Sequence, residues 1–308
     1  MTIRYISRKD IDTAKWDACI RAAKAPIYNQ AAFLDEVSSN WDALVAGDYE
    51  AVMPLPWRQK WGIKYIYPPA FTQQLGISSA NVVSPDICDE FIRSIPKNFR
   101  SIEINGQASN TFSHYVMKMR RNHVLSLAPS YSLLENNYSR SARRNIRKAL
   151  DSGIKISEQV NPAQVIAMHR NRFKDEVGYT REDYTRFESL SNKYFTAGKC
   201  ICLAAFLEKN MIASGLFFRD EHRIYFVLNG NTKESLEIGA AHLLMDHIIR
   251  KFAGSGLIMD FEGSDHESFA RFYLQYGAVP ELYPFIHIDR LPLMMRIARR
   301  LRNRLTGK

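Results

Sequence analysis

The sequence predicts a two-domain α/β (α+β) protein, each domain a mixed, mostly antiparallel sheet flanked by helices. Three observations lead there. The chain has 308 residues, enough for two domains of ordinary size. The stretch from Arg223 to Tyr276 reads strand, helix, strand, helix, with a helix start of small residues at Gly239-Ala240-Ala241. The order of elements before residue 130 loosely echoes the order after it, although no residue-level repeat is visible. The predicted domains are 1–130 and 131–290, followed by a basic amphipathic helix over 291–308.

Composition narrows the class. Hydrophobic residues make up 46% of the chain and aromatic residues 12%, so it can bury substantial cores. The formal charge is +10, from 42 Lys and Arg against 32 Asp and Glu, which points to an anionic partner. The opening MTIRYISRKD lacks a signal-peptide core, and no run approaches about 18 apolar residues. The expectation is a soluble, cytoplasmic protein. Four cysteines do not suggest a disulfide framework. Cys200 and Cys202 share one strand face without a matching pair at ligand spacing, so they read as core and no metal is expected.

In the first half, Ile11–Ala23 and Asn29–Ser38 suit helices, and Trp41–Ala46 with Glu50–Pro56 suits a hairpin around Gly47-Asp48. An aromatic-rich loop follows, with Trp57, Trp61, Tyr65, Tyr67, Phe71 and Gln73-Gln74, broken by Pro68-Pro69. These residues suit either the wall of a cleft between the halves or a cover for the sheet. Pro85–Ile95 is a short helix, and Ser101–Asn105 and Asn122–Leu127 are strands.

In the second half, Tyr138–Gly153 is a helix with Ser139 or Ser141 as N-cap. Arg140, Arg143, Arg144 and Arg147 share a face, and no acid interrupts the run between Glu135 and Asp151. Pro162–Val177 and Glu182–Ala197 are helices. Cys200–Phe206, Met211–Phe218 and Ile224–Leu228 form an antiparallel meander, the last strand ending at the turn signal Asn229-Gly230. Ile238, Leu243, Leu244, Ile248 and Phe252 give a helix with one buried face, Leu257–Phe261 a strand, and a helix from about Asp265 ends at Gly277.

The order of two helices, three antiparallel strands and a βαβα unit resembles the acyl-CoA-binding core of the GNAT N-acyltransferase superfamily. Two motifs carry the resemblance. Leu236-Glu237-Ile238-Gly239-Ala240-Ala241 resembles that family's pyrophosphate loop in its small residues, but lacks the basic or amide first position. Ala270-Arg-Phe-Tyr273-Leu-Gln-Tyr-Gly277 resembles the family's helix ending. The segment Tyr138-Ser139, Arg143, Asn145-Ile146 and Lys148-Ala149 is similar to the entry into the second domain of Fem-type aminoacyl transferases, themselves a doubled GNAT fold. Asp260-Phe261-Glu262-Gly263 also looks like that family's strand end. The expected fold is therefore tandem GNAT-like domains, the first degenerate.

The resemblance implies a site. Tyr273 would be general acid to the leaving group, and backbone donors of the splayed strand, at Val227, Leu228 and Asn229, would hold the acyl oxygen. Gly239, Ala240 and Ala241 would cradle a pyrophosphate on a helix N-terminus, with Arg143, Arg144 and Arg147 supplying charge. Asp260 and Glu262 are candidate bases, with His169 and His266 behind them. Glu262-Gly263-Ser264-Asp265 equally reads as a turn with Asp265 capping the next helix.

Three function classes stay open: a CoA-dependent N-acyltransferase acting on an amine, a Fem-like transferase drawing on aminoacyl-tRNA, and a binding module. The first is the expected reading, with acyl-CoA (acetyl-CoA) as donor and no metal. The tail helix, with Met294, Ile297, Ala298, Leu301 and Leu305 on one stripe and arginines off it, suits packing on the domain, an anionic membrane surface or RNA phosphates.

Overall fold

A computed structural model describes residues 2–173, 178–263 and 265–292. The tail helix expected from 291 onward and the end of the Pro162–Val177 helix lie largely outside these residues. The chain divides into two compact units, 120–282 and the remainder on either side of it. The boundary falls at Met119–Arg120 rather than at 130, and the last described strand returns to the first unit.

The first unit contains β1 (Ile3–Ile6), α1 (Thr13–Ala22), α2 (Ala31–Val37), β2 (Trp41–Ala46), β3 (Ala51–Lys60), β4 (Ile63–Ile66), β5 (Ser78–Ser79), α3 (Pro85–Arg93) and β6 (Phe99–Asn105). Capping fixes the helix starts: Asp12 accepts from the Ala14 and Lys15 amides, and Ser84 from the Ile87 amide. β1 to β4 pair antiparallel in sequence, β4 pairs parallel with β6, and Phe285–Asp289 pairs antiparallel with β6. Leu44, Met53, Phe91, Phe99 and Ile102 are fully buried in its core.

The aromatic stretch expected as a loop is instead the β3–β4 hairpin, turning at Trp61 and Gly62, both with positive φ. Aromatic and extended residues favour pairing, and Pro68-Pro69 follow only after the hairpin closes. Its neighbours serve this unit's own interior. Phe71, Gln73 and Gln74 are buried, and the Trp57 indole donates to Asp42 Oδ2 at 2.7 Å.

The chain crosses between units inside β7 (Met117–Ser126). There follow α4 (Tyr131–Asn136), α5 (Arg140–Asp151), β8 (Lys155–Ser157), α6 (Pro162–Phe173), α7 (Arg181–Thr196), β9 (Cys200–Leu207), β10 (Asn210–Arg219), β11 (Arg223–Asn231), α8 (Lys233–Ile238), α9 (Ala240–Phe252), β12 (Ile258–Asp260), α10 (Glu267–Leu274) and β13 (Val279–Asp289). β8 to β11 pair antiparallel in sequence, β11 pairs parallel with β12, and β12 pairs antiparallel with β7.

The two units repeat one plan. A strand, two helices, three antiparallel strands, a crossover helix and a parallel strand occur in each, so each sheet is mixed and mostly antiparallel. α1 and α2 correspond to α6 and α7, and α3 to α9. The doubling is topological, which is why no residue repeat announces it. Cys200 and Cys202 are buried with their sulfurs 3.9 Å apart, and Cys19 and Cys88 are also buried and free. No helix among the described residues is long and apolar enough to cross a membrane.

Three local features depart from the sequence expectation. Asn229-Gly230 does not turn: β11 continues to Asn231, with Gly230 opposite Ser214. A Cβ at Gly230 would stand 2.7 Å from Met168 Cγ, so the glycine answers to helix packing. The helix α8, absent from the sequence reading, occupies the segment expected as a loop. Its N-cap Thr232 accepts from the Ser235 amide, and it ends at Gly239 with φ 83°. Finally, Asp265 does not cap α10, whose N-cap is His266; its carboxylate accepts instead from the Arg121 amide at 2.8 Å.

A buried ion network ties β11 to β12. Arg223 Nη1 lies 2.9 Å from Asp260 Oδ2 and Nη2 lies 3.2 Å from Glu281 Oε1, while Asn122 Nδ2 donates to Asp260 Oδ1 at 2.9 Å. Asp260 is fully buried. Removing one partner of such a pair leaves an uncompensated interior charge. Arg223→Met is expected to lose about 3–5 kcal/mol in chemical denaturation, and Arg223→Met/Asp260→Asn to recover at least about half of it. A single-variant loss below about 1 kcal/mol would mean that the pair does not hold the strands.

Candidate active site

β11 and β12 pair only where Arg223–Tyr225 faces Ile258–Asp260. Beyond that point β12 stops and β11 runs on to Asn231. The β10–β11 register slips between Leu216 and Phe217, which face Leu228 and Phe226, so Val227 is an extra residue without a β10 partner. Such a bulge bends and twists the strand. The two effects open a cavity of about 740 Å³ within the second unit.

Six elements enclose it. β10 and β11 supply Ala213, Ser214, Phe226, Asn229 and Asn231. The α8–α9 junction supplies Ser235, Leu236, Gly239, Ala241, His242 and Leu244. α10 and its approach supply His266, Ser268, Phe269, Phe272 and Tyr273, and the end of α6 supplies Arg172 and Phe173. The walls are mainly apolar and aromatic with a few polar groups, as expected for a site that takes an organic substrate.

Tyr273 stands on this wall, 5% exposed, and its ring stacks on Phe261 with centroids 4.6 Å apart. Burial pushes its hydroxyl pKa well up, and the negative fields of Glu262 and Asp260 push it further. The phenol therefore keeps its proton at neutral pH and is a donor. It makes no hydrogen bond among the described residues.

The expected acids and backbone groups separate in space. Glu262 is half-buried next to the wall, close enough for its charge to act on Tyr273, and its backbone is left-handed at φ 53°. A non-glycine residue in that region is uncommon and is found where surrounding structure fixes it. Asp260 does not reach the cavity. Its carboxylate is taken up by Arg223, Asn122 and the Glu262 amide, and burial raises its pKa while Arg223 opposes the rise. Asn229 lines the cavity, Val227 is the bulged residue, and Leu228 is buried off the wall.

Gly239 and Ala241 line the cavity, whereas Ala240 is fully buried on the other side of the helix. Gly239 has a structural reason of its own. A Cβ there would meet the Asn145 carbonyl oxygen of α5 at 2.5 Å, so α5 and α9 approach this closely only over a glycine. The arginines of α5 do not line the cavity. Arg143 donates to the Glu135 and Asn136 carbonyls at 3.1 and 2.9 Å, satisfying the end of α4. Arg140, Arg144 and Arg147 are exposed, and none of the three pairs with a described residue. Lys148 Nζ donates to the Glu237 carbonyl at 2.9 Å, fastening α5 to α8.

His169 donates from Nδ1 to the Asn229 carbonyl at 2.7 Å, and its buried Nε2 has no partner among the described residues. Burial lowers its pKa, so it braces β11 as a neutral ring. His266 lies on the cavity wall with Nδ1 2.8 Å from Ser268 Oγ.

The sequence reading missed His242, in the first turn of α9. Asn145 Nδ2 lies 3.2 Å from its Nε2, and the Tyr276 hydroxyl 2.7 Å from its Nδ1. With the amide donating to Nε2, Nδ1 carries the ring proton and donates to Tyr276. It also missed Ser214, 2% exposed, whose hydroxyl has no partner among the described residues and which lines the cavity. Neither belongs to a spacing pattern, because their elements converge only in three dimensions.

Burial lowers the His242 pKa to about 4 from an ordinary 6.5. A depressed pKa means that the neutral ring stabilises the fold fully above about pH 6.5 and that this contribution is lost as pH falls through about 4. The shift corresponds to roughly 3 kcal/mol. Denaturation midpoints between pH 7 and 4 should fall less steeply for His242→Gln than for the parent; equal slopes would show that His242 does not titrate with folding.

No family model matches the sequence, and no curated protein matches it. Solved structures do match its fold. FemX superposes with a TM-score of 0.62 at 11% identity, over 93% of this chain and 97% of that one. L-PGS from Bacillus licheniformis gives 0.55 at 13% identity, over 96% and 98%. A tandem GNAT protein from the clavulanic acid biosynthesis pathway gives 0.52 at 8% identity, over 94% and 99%. The chain has the doubled GNAT-like, FemAB-like fold.

Proposed function

We propose that this protein is a transferase that moves an aminoacyl group from tRNA to an amine acceptor, with the reaction in the cavity of the second unit. The observation that carries the donor is α5. One side of this helix reaches the cavity wall through Asn145 and His242, and its other face presents Arg140, Arg144 and Arg147 without partners among the described residues. A single-sign face without partners suits a polyanion whose charged body stays outside the cavity while its acyl end enters. Likeness to FemX and L-PGS supports the same reading.

The chemistry follows from the residues present. The acceptor amine attacks the ester carbonyl, and backbone donors near the Val227 bulge and Asn229 hold the developing oxyanion. Glu262, beside the wall, takes the amine proton. The carbon–oxygen bond to the ribose breaks, and Tyr273 gives its proton to the leaving oxygen. Asp260 positions the fork and transfers nothing.

A second reading, acyl-CoA as donor, rests on Gly239 and Ala241 lining the cavity. In it Tyr273 protonates a leaving thiolate. The two readings separate on the arginines, which stand away from the cavity.

Arg140→Ala/Arg144→Ala/Arg147→Ala is expected to weaken tRNA binding at least about tenfold and to reduce the slope of log K against log salt by about 2–3. Unchanged tRNA binding would remove the polyanion face. Tyr273→Phe should lower kcat at least about tenfold with donor affinity kept; an unchanged kcat would take Tyr273 out of the reaction.

A further inference from the structure

In the first unit, α3 and the segment between β6 and β7 bring together three ligand-type side chains that the transfer chemistry does not use. Asp86 and Asp89 stand three residues apart on α3, so their carboxylates share a face. His114 lies in the connecting segment. One ligand atom from each of the three lies within 4.8 Å of the others.

Asp89 is the informative member. It is fully buried, and its Oδ2 accepts from the Ser113 and His114 amides at 3.3 and 3.0 Å and lies 2.5 Å from His114 Nδ1. Its other oxygen, Oδ1, is buried without a partner among the described residues. Buried carboxylate oxygens are normally paired, hydrogen-bonded or bound to a metal. The candidates for pairing do not reach it: among the described residues no Lys or Arg forms an ion pair with Asp86 or Asp89. Arg290, which acts on neighbouring Tyr115, donates to the Ile95 and Pro96 carbonyls.

We propose that Asp86, Asp89 and His114 bind one divalent transition-metal cation of the Zn²⁺ class. Two carboxylate oxygens and one imidazole nitrogen suit Zn²⁺ or Co²⁺, whereas Ca²⁺ and Mg²⁺ take oxygen ligands. The two carboxylates balance the charge of the ion, and the ion supplies the partner that Asp89 Oδ1 lacks. Three protein ligands leave a coordination position for water or a further ligand. The site would fasten α3 to the segment holding His114, so metal binding and stability of the first unit are coupled.

The test is calorimetric titration of the chelator-stripped full chain with Zn²⁺, with Co²⁺ absorption as a second readout. The expected result is one ion per chain for the parent, and binding at least tenfold weaker in Asp86→Asn and in His114→Ala. Both changes are at exposed positions, the His114 side chain being 68% accessible, and circular dichroism checks that each variant is folded. The parent should also melt higher with Zn²⁺, a gain that both variants lose. Absence of saturable binding in the parent, or Zn²⁺ bound equally well by both variants, would overturn the assignment; in the latter case the ion sits elsewhere.

Discussion

The Arg223–Asp260 pair joins the two central strands of the second unit at the last point where they run together. Asp260 ends β12, Arg223 opens β11, and one residue beyond Tyr225 the strands no longer pair. A fully buried carboxylate is tolerable there because a guanidinium, an amide side chain and a backbone amide all meet it. The cavity exists because the fork is fixed on one side of this pair and free on the other. The bulge at Val227 then turns β11 away from a straight ladder, and aromatic side chains from α10 fill the angle only partly. Tyr273 is set against Phe261 at the fork itself, so one residue belongs both to the core and to the cavity wall.

The second constraint is the contact of α5 with the start of α9. The carbonyl of Asn145 reaches to where a side chain of Gly239 would be, and the Asn145 amide continues through His242 to Tyr276. A helix of arginines is thereby held by its uncharged side against the cavity wall. The small residue at Gly239 thus has two explanations, a phosphate cradle and a helix contact, and only the second is visible in the distances. Charge points the same way, since the arginines of α5 stand off the wall and the cavity itself receives Arg172.

Much of the fold was legible in the sequence. Alternating and β-branched runs locate Trp41–Ala46 and the β9–β10–β11 meander, and of the two serines that suit the cap of α5, Ser139 and Ser141, the fold uses Ser139. What escaped was set by tertiary contacts. Asn229-Gly230 carries a turn signal, yet β11 passes straight through it because Met168 needs a residue without a side chain. The six residues of α8 carry too little periodicity to stand out beside the small residues that follow. The aromatic stretch after Pro56 reads as irregular because β4 is only four residues long and the turn, Trp61-Gly62, has an uncommon first residue. Of the site, Tyr273 and the small residues of α9 were reachable through motif resemblance. His242 and Ser214 were not, since burial and missing partners are properties of the folded chain. The same limit applied to Asp260, which a strand end offers as a base and which the fold consumes in an ion pair.

The donor is the central claim, and thermal unfolding of the full chain against a panel of donors tests it most directly. The panel holds an aminoacyl-tRNA pool, random RNA of equal length, acetyl-CoA and longer acyl-CoAs. A ligand at about 100 times its dissociation constant adds roughly 2.7 kcal/mol, enough to read as a melting shift. The shift with aminoacyl-tRNA is expected to exceed the shift with random RNA. A shift with CoA thioesters and none with tRNA would contradict the claim.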